Sequence, residues 1–148
     1  IPFIKHKTGW FDPMMTTGCS MGAYHAVNFF LQHPDVFNKV IALSGVYDAR
    51  FFVGDCLDDE AIYQNSPADY IWNQNDGWFI DRYRNADIIV CTGLGAWEQD
   101  GLPSFYTLKE AFEHKNIPAW FAEWGYDVSH DWIWWRKQMP YFLNQLNL

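Results

Sequence analysis

The sequence predicts an α/β fold, a layer of parallel strands with helices on its faces, and three observations predict it. Short β-branched or apolar runs alternate four times with helix-like segments, the order expected when each parallel strand is followed by a helical crossover. The run "KVIALSG" carries Val40, Ile41, Ala42 and Leu43 in succession, as a strand covered on both faces does. In "TTGCSMGAYHA", residues 16 to 26, a strand-like run passes directly into a helix-like one through Gly18-Cys19-Ser20-Met21-Gly22, a serine between two glycines.

Taken in order, the first strand is expected over Met14 to Thr17 and the first helix over Met21 to Gln32. Ala23, Ala26, Val27, Phe30 and Leu31 line one side of that helix, and Pro34 ends it. The second strand is Lys39 to Gly45. From Tyr47 to Asp81 the pattern weakens into acidic, turn-forming and aromatic residues, with Ser66-Pro67 opening a short helix; this reads as an excursion that carries helices over the sheet. "ADIIVCTG", Ala86 to Gly93, is the third strand, and Pro103 to Lys115 the helix after it. "IPAWFAEWG", Ile117 to Gly125, is the fourth strand, and "DWIWWRKQMPYFLNQL" closes the chain as a helix that Pro140 must kink or divide. Repeats and low-complexity tracts are absent.

With 148 residues, 49% of them hydrophobic and 20% aromatic, the chain suits one packed domain with a true apolar interior. Ten Lys and Arg against eighteen Asp and Glu give a net charge of -8, and no basic cluster is available to neutralise a phosphate backbone, so nucleic acid is not an expected partner. Cys19, Cys56 and Cys91 have no CxxC spacing and read as buried thiols. No stretch approaches the ~18 apolar residues of a membrane span. The first residue is Ile1, so the compartment stays open, with the cytoplasm slightly ahead of secretion.

By chance alone a GxSxG string appears in a chain of this size about 5% of the time. The strand before Ser20 and the helix after it raise the signal, because a nucleophilic serine needs a turn that reverses within one residue and holds its hydroxyl clear of the sheet. Glycines at 18 and 22 are expected to remove β-carbons that would collide there. The Met21 amide, at a helix N-terminus, is placed to donate to an oxyanion, worth roughly 3 to 4 kcal/mol of barrier.

A serine hydroxyl needs a base, and the base a carboxylate. His6 lies in a basic stretch, His25 and His33 on the first helix, and His114 at a helix end, so each has an ordinary structural reading. His130, in "WGYDVSHDW", follows the fourth strand, at the strand-end edge that also presents Ser20. The acid is expected after the third strand, in "GLGAWEQDG": Glu98, flanked by Trp97 as a shield from water, is favoured over Asp100, which reads as a turn residue before Gly101. Asp127 and Asp131 are fallbacks, a turn residue and a helix cap. A metal reading of Asp127, His130 and Asp131 lacks a second histidine or cysteine, and none is assigned. Trp97, Trp124, Trp132, Trp134 and Trp135 read as core before pocket lining, and "DCLDDE", residues 55 to 60, as a solvated loop before a cation site.

Taken with "IALSGVYD", "GLGAWEQDG" and "WGYDVSHDWIWWRKQMPYFL", the "TTGCSMGAYHA" turn makes the whole chain resemble the putative-esterase branch of the α/β-hydrolase superfamily. That branch includes esterase D-like enzymes and is related to the mycolyl transferases. The resemblance implies a three-layer αβα sheet and Ser20 as nucleophile, with Met21 amide as one oxyanion donor, Glu98 as acid and His130 as base. Asp100 stays the alternative acid. It implies hydrolysis of a small-molecule or carbohydrate ester through an acyl-enzyme, without metal or organic cofactor. Acyl transfer to a sugar or alcohol is the alternative, and a non-catalytic fragment or binding module the rival. In the family the nucleophile turn follows the fifth strand, so residues 1 to 148 are expected to be a single partial domain, the C-terminal part of the fold. Its nucleophile turn is at 16 to 23, its acid loop at 93 to 101 and its histidine loop at 125 to 131. An uncovered sheet edge is then expected to favour self-association and low activity of the isolated piece.

Overall fold

Four strands, β1 (Met14–Cys19), β2 (Phe37–Leu43), β3 (Asp87–Thr92) and β4 (Trp120–Glu123), pair in parallel in the order β1-β2-β3-β4. The computed structural model describes residues 1 to 54 and 60 to 146; Cys56 and residues 55 to 59 of the acidic run lie outside them. Thr16 pairs with Val40, Val40 with Ile88, and Val90 with Phe121, which aligns the apolar centres of the strands.

Strand alternation separates two cores. Val40, Ala42, Ile88 and Val90 face one way, and Ile41, Leu43, Ile89 and Cys91 the other. The strand order advances in a single direction, so right-handed crossovers must all lie on one face. That face carries α2 (Met21–Gln32), α5 (Pro67–Asn73), α6 (Gly77–Arg84) and α7 (Leu102–His114), through Phe30, Ile71, Tyr83 and Phe112. The helix after the last strand, α8 (Trp132–Gln145), covers the opposite face with Trp135 and Phe142. The result is three layers. Each fully buried Ile, Leu or Phe contributes about 1.5 to 3 kcal/mol, so both faces stabilise the sheet.

The strand centres follow the sequence reading, while the ends differ. β1 runs on to Cys19, β2 starts at Phe37, and β4 is confined to four residues. The excursion holds the short helices α3 (Arg50–Val53) and α4 (Glu60–Gln64) before α5 and α6. The N-terminal α1 (Pro2–Thr8) has no apolar periodicity to announce it; it buries no residue and ends at Gly9, whose φ of 68° suits a left-handed cap. Pro140 does not divide α8, which runs through it. The carbonyl that Pro140 leaves without a donor belongs to Arg136, on the solvent side, where water can hydrate it.

Candidate active site

β1 leads directly into Ser20, whose φ of 56° and ψ of -124° are strained for a residue with a side chain. Hydrogen bonds hold the turn on both sides: Ser20 N–H donates to Leu43 O at 2.9 Å, and Ala23 N–H donates to Ser20 O at 2.9 Å. A Cβ on Gly18 would lie 2.2 Å from the Gly22 carbonyl oxygen, so β1 and α2 approach this closely only with glycine at 18. Gly22 is different. Nothing lies within 4 Å of a Cβ there, because it would point outward from the first turn of α2; the expected collision exists at Gly18 alone. Met21 opens α2, and its N–H precedes the helix's own hydrogen-bond ladder.

His130 Nε2 lies 2.9 Å from Ser20 Oγ, and His130 Nδ1 lies 3.6 Å from Glu98 Oε2. The first distance is a hydrogen bond; the second is longer than one and matches an ion pair once the imidazole is charged. Backbone bonds between the two loops set this geometry. Gly95 N–H donates to Val128 O at 2.9 Å and His130 N–H to Ala96 O at 2.9 Å, while a Cβ on Gly95 would sit 2.6 Å from Val128 O.

Glu98 is 2% exposed. Its oxygens are met by hydroxyls. Ser44 Oγ donates to Glu98 Oε1 at 2.6 Å, and Thr92 Oγ1 stands 3.3 Å from Oε2 while also reaching Gly93 O at 3.0 Å. Trp97, 82% exposed at a φ of 68°, projects away as part of the rim. Burial, with the Glu98 charge adding to it, pushes the neighbouring Cys91 thiol up, which leaves Cys91 a neutral spectator. Cys19 is also raised by burial.

The remaining predicted candidates stay apart. Asp100 is exposed at the cleft rim, Asp127 is an exposed loop residue, and Asp131 caps α8 by accepting from Ile133 N–H at 3.1 Å. His6, His25, His33 and His114 are exposed, away from Ser20, with His25 stacked on Phe29. Among the described residues no group of three His, Cys, Asp or Glu side chains is placed to hold a metal. No helix among them is long and apolar enough to cross a membrane.

Ser20, Glu98 and His130 open into a cleft of about 160 Å³, walled by Phe51, Phe52 and Trp97. Of the five tryptophans read as core first, Trp135 is buried, whereas Trp97 and Trp132 are exposed at 82% and 60%. Ser44, Thr92 and Trp135 were not legible as site residues. The only local hint was that "LSG" and "CTG" end their strands with a hydroxyl residue before glycine.

A family model described as "Putative esterase" matches residues 1–146. No curated protein shows significant similarity to the chain. Among solved structures, a ferulic acid esterase superposes with a TM-score of 0.72 at 22% identity, over 94% of this chain and 53% of its own. An S-formylglutathione hydrolase from Agrobacterium tumefaciens does so at 0.72 and 15%, over 97% and 52%. A capsule O-acetyltransferase of Neisseria meningitidis serogroup A gives 0.55 and 15%, over 99% and 61%. The chain thus spans about half the length of the first two. At these identities the likeness is one of fold.

Proposed function

Because the chain belongs to this esterase family, we propose that it carries the serine-hydrolase machinery for carboxylic esters, with Ser20 as nucleophile, His130 as base and Glu98 as the acid behind it. The observation that carries the reading is the 2.9 Å contact between His130 Nε2 and a Ser20 held at a φ of 56° on the cleft floor.

In this reading Ser20 Oγ attacks the ester carbonyl carbon as His130 Nε2 takes its proton. The carbonyl oxygen becomes an oxyanion, to which the Met21 N–H donates. Collapse breaks the bond to the alcohol oxygen, which leaves with the proton from His130. Water then gives a proton to His130 and adds to the acyl carbon; the acid departs, and Ser20 recovers its proton. Glu98 carries negative charge beside the imidazolium at both stages. Every proton is accounted for by Ser20, His130, the leaving alcohol and water.

The cleft wall of Phe51, Phe52 and Trp97 supports an ester with an apolar or ring-bearing part. Acyl transfer to an alcohol is the second reading, supported by the fold shared with the capsule O-acetyltransferase, and it differs only in replacing water by the acceptor. The test is labelling with a fluorophosphonate probe. The parent chain labels and Ser20→Ala does not; equal labelling of both sinks the assignment. Product analysis with and without an acceptor alcohol separates hydrolysis from transfer.

A further inference from the structure

We infer that Ser44 and Trp135 are positioning residues for the reaction, a relay that aims one oxygen of Glu98 at His130; this rests on the esterase reading above. Trp135 Nε1 lies 3.0 Å from Ser44 Oγ, and Ser44 Oγ lies 2.6 Å from Glu98 Oε1. The direction of the chain follows from the groups themselves. An indole N–H can only donate, so Ser44 accepts from Trp135, and its single hydroxyl proton goes to Glu98. With Oε1 held by Ser44, Oε2 is the oxygen left for His130 Nδ1 at 3.6 Å.

Two further features set this apart from a buried indole that merely finds an acceptor. Ser44 is 3% exposed and sits at a φ of 55°, while its N–H donates to Cys91 O at 2.7 Å, so the end of β2 is bent in the left-handed region. That strain is retained where the side chain must turn toward Glu98. The same Trp135 ring also meets the His130 imidazole at 5.0 Å between centroids and 83° between planes. One side chain therefore braces the base by ring contact and the acid through Ser44.

The test is kinetic, with p-nitrophenyl acetate as substrate. Ser44→Ala is expected to lower kcat about tenfold to a hundredfold with KM nearly unchanged, the size of a lost hydrogen bond to a charged group. Trp135→Phe keeps an aromatic ring beside His130 while removing the N–H donor, and should lower kcat less. Because the indole acts through Ser44, the double variant should be no slower than Ser44→Ala alone. Unchanged kcat, or losses that multiply in the double variant, overturn the relay. Ser44→Gly, which suits the φ of 55°, replaces Ser44→Ala if that variant fails to fold. A second readout needs no turnover: the His130 Nδ1 resonance in ¹⁵N NMR should move in Ser44→Ala, and an unmoved resonance counts against the relay. If Ser20→Ala turns over as fast as the parent, the esterase reading has failed; if Ser20→Ala is inactive while Ser44 and Trp135 variants match the parent, only the relay has.

Discussion

Ser20 and His130 stand 110 positions apart in the chain, yet His130 Nε2 and Ser20 Oγ meet at 2.9 Å. The contact is the more informative because β1 and β4, the strands that precede them, lie at opposite edges of the sheet. Three strand spacings separate those edges, about 14 Å, so His130 reaches Ser20 only if its loop doubles back over the strand ends. The loop that carries Glu98 supplies the support for that return, through Gly95 N–H to Val128 O and His130 N–H to Ala96 O, both 2.9 Å. α8 then packs with Trp135 and Phe142 in one core with Ile41 and Leu43, on the face that the crossovers leave open.

The choice of acid follows from this support. Glu98 is buried beside His130 and Asp100 is exposed, so Glu98→Gln should reduce ester hydrolysis by about three to four orders of magnitude, as loss of the carboxylate behind a catalytic histidine does. Asp100→Asn should leave it within a few fold. Steady-state kinetics on both variants decide, and a larger loss from Asp100→Asn would falsify the assignment.

The Ser20 turn makes a stability prediction in which two glycines part company. Gly18→Ala places a carbon 2.2 Å from Gly22 O, backbone against backbone, and should cost about 1 to 3 kcal/mol or prevent folding. Gly22→Ala meets nothing within 4 Å and gains helix propensity in α2, up to about 1 kcal/mol. Urea melts of the two variants should move in opposite directions; matching losses would mean that the turn is packed differently.

The Ser20 turn and the strand-end loops that carry Glu98 and His130 were legible in the sequence as places in the fold because each is local: glycines and chemistry-bearing residues fall at fixed offsets from a strand end. The partners of Glu98 were not. Ser44 meets Glu98 from 54 positions away and Trp135 meets Ser44 from 91, and no periodicity records such pairs. Trp97 misled for a related reason. Its neighbour in sequence is buried, but a φ of 68° turns the indole out, and nothing in the string "GAWEQ" announces that backbone state. α1 was missed because propensity and capping, without a buried face, leave no pattern to read.

Acid sensitivity should include a contribution from Asp48. Partial burial works to raise its pKa, but hydrogen bonds and charge from Arg50, with Ser66, outweigh that and leave it lowered. Arg50 Nε sits 2.8 Å from Asp48 Oδ1. A depressed carboxyl stabilises the fold above its unfolded pKa and loses that contribution as pH falls through the folded value, so the window opens near 4 and extends below it. The pair is partly exposed, so the amount is small, about 0.5 kcal/mol, and salt should reduce it. Urea melts at pH 7 and pH 3 should differ less for Asp48→Asn than for the parent; an equal difference removes Asp48 from the account.

Trp97 offers the sharpest separation of stability from substrate binding. A tryptophan that is 82% exposed contributes little burial, and its φ of 68° costs about 1 kcal/mol for a residue with a β-carbon. Burial of the indole offsets little of that strain, and Trp97 lines the cleft beside Ser20. Trp97→Gly should therefore leave the melting temperature unchanged or raise it, since glycine adopts this backbone freely. The same change should raise KM severalfold for p-nitrophenyl benzoate, whose acyl group carries a ring, and hardly at all for p-nitrophenyl acetate, whose acyl group is too short to reach the rim. A fall in melting temperature with KM unaltered would instead make Trp97 a packing residue, and the aromatic wall would then have no part in choosing the ester.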